Sequence, residues 1–187
     1  MEQKTPLYDC HVAAGGKIVP FAGYLLPVQY GTGVMKEHMA VRSKVGIFDV
    51  SHMGEVILKG KDALANLNYM LTNDFTSLKV GSVRYSPMCN VQGGVVDDLL
   101  VYRTGEDAYL IVVNAANRHK DVDFMKKHIF GEAELTDISD SVAQIALQGP
   151  DSQKVLGKLM KEEDIPAKYY TFKEKVDVAG VPCLISQ

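Results

Sequence analysis

Two adjacent carboxylates, Asp97 and Asp98, stand inside the apolar run Val95-Val-Asp-Asp-Leu-Leu-Val-Tyr102, just after the turn signal Gln92-Gly93-Gly94. Such a run predicts a strand. Neighbouring strand residues point to opposite faces, so the two acids occupy different surroundings and at least one lies against a covered face. Burying a carboxylate costs several kcal/mol unless charge or hydrogen bonds compensate, and such strain collects at functional sites. A plainer role fits the pair equally well, with one acid capping a turn or bulge and the other solvated.

Four other clusters carry chemistry. Asp49-Val-Ser-His-Met-Gly54 sets His52 and Met53 at a junction between elements, where binding loops are frequent. Arg84 and Tyr85 offer a cation and an aromatic face, Tyr85 suiting either a flat ligand ring or ordinary strand packing. Asn114 and Asn117 end one element and begin the next, as helix caps or as grips on the polar edge of a ligand. Residues 20–30 form an aromatic-rich, uncharged loop. A carboxylate beside aromatic and amide groups suits a flat, polar-edged ligand. Glycine-rich phosphate loops, a His-Glu-x-x-His zinc motif and a serine nucleophile elbow are missing from the sequence, which removes those chemistries.

The elements that must position these groups are legible from residue 54 onward. Residues 55–59, 83–89, 95–103, 109–114 and 133–138 read as strands. Helices are expected after Asp62, carrying Leu64, Leu67 and Leu71, and from about Asn117, burying Val122, Met125 and Ile129. This order predicts an α+β unit, a mostly antiparallel sheet with two helices packed on one face. Residues 34–45 predict a helix with Met35 and Met39 as core gap-fillers and Gly46 at its end. The segment before it is rich in Gly and Pro and reads as irregular. Later, residues 142–148 read as a strand, Pro150 as the first residue of a helix, and residues 175–179 and 181–186 as a hairpin at Gly180. The opening and closing segments are expected to pair, so that residues 1–53 and 139–187 form an interrupted first domain and residues 54–138 a second.

With 187 residues, 47% of them hydrophobic and 23% charged, the composition is that of an ordinary folded domain. A formal charge of −3 provides no basic field for nucleic acid or anionic lipid. No apolar stretch approaches the roughly 20 residues that span a bilayer. The first residues lack the apolar core of a secretory signal. Cys10, Cys89 and Cys183 are widely spaced and odd in number, which predicts reduced, buried thiols in a cytosolic setting and no metal site.

Several segments together resemble the aminomethyltransferase family, the T-protein of the glycine cleavage system. They are Val19-Pro-Phe-Ala-Gly23, Pro27-Val-Gln-Tyr30, Phe48-Asp-Val-Ser-His-Met-Gly-Glu55, Tyr85-Ser-Pro-Met88, Gly93-Gly-Val-Val-Asp-Asp98, Val113-Asn-Ala-Ala-Asn117 and Ala146-Leu-Gln-Gly-Pro150. Tyr24 stands where the family commonly has Trp. The resemblance covers the N-terminal half of the family's length; the C-terminal barrel and the folate contacts of that second half have no counterpart in these residues.

The resemblance implies an interrupted first domain, an α+β second domain and transfer of a one-carbon unit from the aminomethyl-lipoyl arm of the H-protein to tetrahydrofolate. Ammonia leaves and 5,10-methylenetetrahydrofolate forms. By motif match Asp98 is the catalytic carboxylate, stabilising positive charge or taking a proton from the folate amine. Met53, Tyr85, Leu100, Tyr102, Asn114 and Asn117 would line the folate path. Asp98, Leu100 and Tyr102 also share a face by strand alternation, while Asp97 faces a structural partner. The implied compartment is the bacterial cytoplasm, or the mitochondrial matrix in a eukaryote. A non-catalytic folate-binding module and another folate-dependent one-carbon transferase or demethylase are the alternatives.

Overall fold

The computed structural model describes residues 2–187. Along the chain run β1 (Gln3–Lys4), α1 (Tyr8–Ala13), β2 (Ile18–Phe21), β3 (Tyr24–Pro27), α2 (Val34–Ser43), β4 (Gly46–Asp49), β5 (Gly54–Lys59), α3 (Ala63–Met70), β6 (Val83–Cys89), β7 (Val95–Gly105) and β8 (Ala108–Val113). Then come α4 (Arg118–His128), β9 (Glu134–Asp137), β10 (Ile145–Gln148), α5 (Ser152–Leu156), β11 (Phe172–Val178) and β12 (Val181–Ser186). The chain separates into two units, Met1–His52 with Val142–Leu159, and Met53–Ser141 with Met160–Gln187. Among the described residues no helix is long and apolar enough to cross a membrane.

In the first unit the opening segment is not irregular. It forms a three-stranded sheet in the order β1-β3-β2, with β1 parallel and β2 antiparallel to β3. Ala22 and Gly23, at φ 49° and 85°, make the left-handed two-residue turn that a tight hairpin requires. Pro20 lies on the edge strand β2, where a missing N–H costs little. That placement is why a Gly- and Pro-rich sequence still forms strands. Antiparallel pairing of β10 with β4 brings residues 145–148 into this unit. Asp49 gathers the opening turn, accepting hydrogen bonds from Thr5 Oγ1 at 2.6 Å, His11 at 2.9 Å and Ser51 N–H at 3.0 Å.

Three details of this unit correct the expectation. Met35 and Met39 are not core gap-fillers; they are 74% and 58% exposed, and α2 buries none of its residues. Gly46 opens β4 rather than ending the helix. Cys10 is exposed rather than buried, while Cys89 and Cys183 of the second unit are half-buried thiols.

The second unit is a five-stranded antiparallel sheet in the order β6-β7-β8-β5-β9. Helices α3 and α4 pack on one face, where Leu67, Met70, Val122 and Met125 meet Val56, Leu58, Leu99, Val101 and Ile111. The α+β architecture expected from the sequence is therefore present. Asp62 precedes α3 without capping it through its side chain; its carboxylate accepts the Glu132 N–H at 2.7 Å instead.

The opposite face carries a smaller cluster of Val83, Tyr102, Val112 and Phe172. Phe172 comes from the closing hairpin β11–β12, which therefore does not pair with the opening segment. It is bonded to β6 through a Ser82–Thr171 bridge, with Val83 N–H donating to Tyr170 O at 2.7 Å. Residues 160–187 consequently belong with the second unit and not with residues 1–53. The large apolar side chains that line β6, β7 and β8 on this face need a cover, and Phe172 supplies it.

Candidate functional site

Strand β7 sorts its side chains as its alternation requires. Asp97, Leu99 and Val101 are buried toward the helices, whereas Asp98 on the other face is exposed. The ladder skips one residue beside the acids: Asp97 pairs with Met88 and Val95 with Cys89, leaving Val96 opposite no partner. Such a bulge bends a strand and re-aims the adjoining side chains. Lys120 Nζ takes up the Val96 carbonyl at 2.7 Å.

Asn114, at the end of β8, reaches across to both acids. Its Nδ2 donates to Asp98 O at 3.0 Å, Asp97 Oδ1 at 3.1 Å and Asp98 Oδ1 at 3.4 Å. The Tyr85 hydroxyl lies near the Asp98 carboxylate; desolvation, then the Asp98 charge, raise the phenol above its ordinary pKa. Tyr85 stands opposite Leu100 in the ladder, so aromatic ring, carboxylate and amide share one end of the sheet. Leu100 and Met53 pack against the smaller apolar cluster and form an apolar floor.

Two expected lining residues lie elsewhere. Tyr102 is only 6% exposed, with its ring 5.3 Å edge-to-face from Phe172 and its hydroxyl 3.3 Å from Ser186 Oγ, which makes it part of the core. Asn117 lies near Asp97, the acid on the sealed face, and helps to lower its pKa. Neither Asn114 nor Asn117 caps a helix through its side chain. His52, in the first unit, is held edge-on by Phe21 and Tyr24 at 5.8 and 6.1 Å, and burial lowers its pKa so that it is neutral near pH 7.

Three buried ionisable groups escaped the sequence reading. Asp121 is fully buried and pushed up to about 7, first by burial and then by Asp97. Glu55, 3% exposed, is also pushed up to about 7 by burial, against the opposing pull of Arg118. Arg118 is paired with Asp137 at 3.1 Å and Asp140 at 2.8 Å. A signal existed for two of them: Arg118 and Asp121 fall on the same helical stripe as Val122 and Met125, and a charged residue on an apolar stripe needs a partner.

An exposed carboxylate fixed by an amide, with a phenol and an apolar floor nearby, can bind an amine-bearing edge, hold it in register and accept its proton. The fold and this arrangement make an α+β unit that displays one carboxylate from a bulged interior strand. Residues 7–187 match the family model described as the GCVT N-terminal domain, and the chain belongs to that family.

Its relatives include the aminomethyltransferase of Bacillus mycoides, 46% identical over 99% of this chain and 50% of that one. A Bacillus cereus aminomethyltransferase matches at the same identity and coverage. The crystal structure of glycine cleavage system aminomethyltransferase T from Bartonella henselae superimposes with a TM-score of 0.86 at 34% identity, covering 93% of this chain and 48% of that chain. A heterotetrameric sarcosine oxidase from Corynebacterium sp. U-96 shares the fold, with a TM-score of 0.56 at 19% identity over 80% of this chain and 75% of that one. The chain spans about half the length of the curated relatives it matches, 50% in the Bacillus proteins.

Proposed function

We propose that the chain forms the Asp98-bearing part of a tetrahydrofolate-dependent aminomethyltransferase working in the cytoplasm. Its donor would be the aminomethyl-lipoyl arm of the H-protein and its products ammonia and 5,10-methylenetetrahydrofolate. The observation that carries this reading is the Asp98 carboxylate held by Asn114 with Tyr85 beside it, in a chain 46% identical to a named aminomethyltransferase.

The residues present fit a folate. A pterin is flat with polar edges, and the site pairs an exposed aromatic ring and apolar floor with one carboxylate and one amide. Bound tetrahydrofolate would supply the amine nitrogen that accepts the one-carbon unit. Asp98 would orient that amine and act either as its proton acceptor or, staying ionised, as the stabiliser of positive charge developing on the neighbouring carbon. Tyr85 would stack on the ring, Asn114 would fix the carboxylate, and Leu100 with Met53 would exclude water beneath it. Tyr102 would support this surface from the neighbouring apolar cluster on the same face, and Asn117 from the far side of the sheet.

The test is a chimera joining this chain to the remaining half of the Bacillus mycoides relative. It should turn over aminomethyl-loaded H-protein only with tetrahydrofolate, and Asp98→Asn should lower the rate on the order of 10²–10³-fold. The 187-residue chain alone is expected to bind tetrahydrofolate weakly or not at all; sub-micromolar affinity by calorimetry contradicts that expectation. Because the chain matches only 50% of its relatives' length, a second reading is a folate-binding module without catalysis. A folded chimera that binds tetrahydrofolate but never releases ammonia would establish it.

A further inference from the structure

We propose that Asp121 is a positioning residue for Asp98: as a carboxylic acid it donates a hydrogen bond to Asp97, and the ionised Asp97 holds the Asn114 amide and the Asp98 backbone N–H. The importance of Asp98 here rests on the aminomethyltransferase reading; the relay itself rests on geometry.

Asp121 projects from the first turn of α4 into the sheet and is fully buried. Lys120 Nζ lies 2.7 Å from the Val96 carbonyl and 3.6 Å from Asp121 Oδ1, which brings this carboxyl beside Asp97, and each acid shifts the pKa of the other. Yet Asp97 Oδ2 and both Asp121 oxygens are buried without any protein donor. Two ionised carboxylates are acceptors only, so the contact is a hydrogen bond only if one of them carries a proton. Its location follows from the remaining partners. Asp97 Oδ1 accepts the Asp98 N–H at 2.9 Å and Asn114 Nδ2 at 3.1 Å. Those donors favour the anion on Asp97 and leave the proton on Asp121.

The charged groups facing Asp121 are Asp97 from β7 and Lys120 from its own helix. The Lys120 Nζ lies 3.6 Å from Asp121 Oδ1 and donates to the Val96 carbonyl at 2.7 Å; its charge pulls Asp121 down, by less than burial and Asp97 raise it. Burial, then Asp97, push Asp121 up to about 7. Burial also acts to raise Asp97, but Asp121, the hydrogen bonds from Asp98 and Asn114, and nearby Asn117 outweigh it and leave the group below its ordinary value. The same Asn114 Nδ2 that Asp97 holds touches Asp98 O and Oδ1. Ionising Asp121 would set two buried anions against each other and disturb the Asp97 carboxylate that holds the Asn114 amide.

The test is a pH titration of the 187-residue chain by carbon and nitrogen NMR. Asp121 should titrate with a midpoint of about 7 while Asp97 stays ionised. The Asp98 backbone amide and the Asn114 side-chain amide should shift with the same midpoint. In Asp121→Asn, whose amide can donate to Asp97 from the same place, both signals should keep their low-pH positions throughout. An Asp121 already ionised at about pH 5, or Asp98 and Asn114 signals that ignore its titration, overturns the proposal. If the variant does not fold, the wild-type titration decides alone. None of these readouts uses folate, so an inactive chimera would sink the enzymatic reading and leave this result standing. In an active chimera, Asp121→Asn should flatten the loss of kcat above neutral pH, whereas Asp98→Asn lowers kcat at every pH.

Discussion

Asp97 and Asp98 are consecutive in the chain and opposite in environment. Asp97 is 9% exposed and holds two amide donors, whereas Asp98 opens to solvent and touches Asn114 and Tyr85. Strand alternation alone separates them. Asp98→Ala should therefore leave stability within about 0.5 kcal/mol, and Asp97→Ala should cost about 1–3 kcal/mol by stranding buried donors. In the chimera, Asp98→Asn should impair turnover far more than Asp97→Asn does. Urea melts and steady-state rates check both statements, and equal effects at the two positions would defeat the face assignment.

Stability should fall as pH rises from about 5 to about 7. Glu55 and Asp121 are both pushed up to about 7 from ordinary values of 4.5 and 3.8. In this window the folded chain holds protons that the unfolded chain has released, so raising the pH favours unfolding by at most ~1.4 kcal/mol per unit for each group. Below it the sign reverses, because Asp49, Asp97 and Asp137 are held under their ordinary values and must be protonated. Urea midpoints from pH 3.5 to 8 (about half-unit steps) reveal the maximum. Glu55→Gln should reduce the neutral-side slope, and an unchanged slope would refute its contribution.

Arg118 ties α4 to the end of β9 through Asp137 and to the segment after it through Asp140, and Ser139 in turn bonds Asp137 and the Glu55 backbone. Arg118→Met should cost about 2–3 kcal/mol, less than a fully buried pair because Asp140 is solvated and Asp137 keeps its Ser139 bonds. Adding Asp137→Asn should recover part of that loss, which a double-mutant cycle by chemical denaturation would measure.

Phe172 anchors the closing hairpin on the sheet through Tyr102, Val83 and Val112. Phe172→Ala should cost about 3–4 kcal/mol and expose the Tyr102 ring. Loss of near-ultraviolet circular dichroism with retained β-sheet signal is the expected signature; an unaltered melting temperature would show that the hairpin is not a structural cover.

Gly60 sits at φ +119°, and a Cβ there would lie 2.1 Å from the Glu132 carbonyl oxygen. Gly60→Ala should destabilise by well over ~1 kcal/mol and loosen the end of the β5–β9 ladder. Gly180, at φ +87° with open space around it, should tolerate alanine better. Equal melting temperatures for the two variants would rule out the backbone clash as the cause.

The second unit was legible because its information is local. Alternation in β6, β7 and β8 and the helical stripe of Val122 and Met125 follow from backbone geometry, and each names the face that will be covered. The separation of Asp97 from Asp98 came from the same rule. The opening strands were hidden because Pro20 and Pro27 are turn residues by composition and strand residues only once β2 and β3 pair with each other.

What the chain order determined, then, is which side chains share a face, where the turns fall, and the ordered motif set that marks the family. Only the tertiary structure decided what covers each face. Met35 and Met39 form a stripe that nothing in their unit buries, the hairpin carrying Phe172 joins the sheet rather than the opening segment, and Asp121 meets Asp97 from an element some twenty residues away. Periodicity is a property of a single backbone segment, whereas burial and a shared proton need two segments brought together, and no local pattern records that meeting.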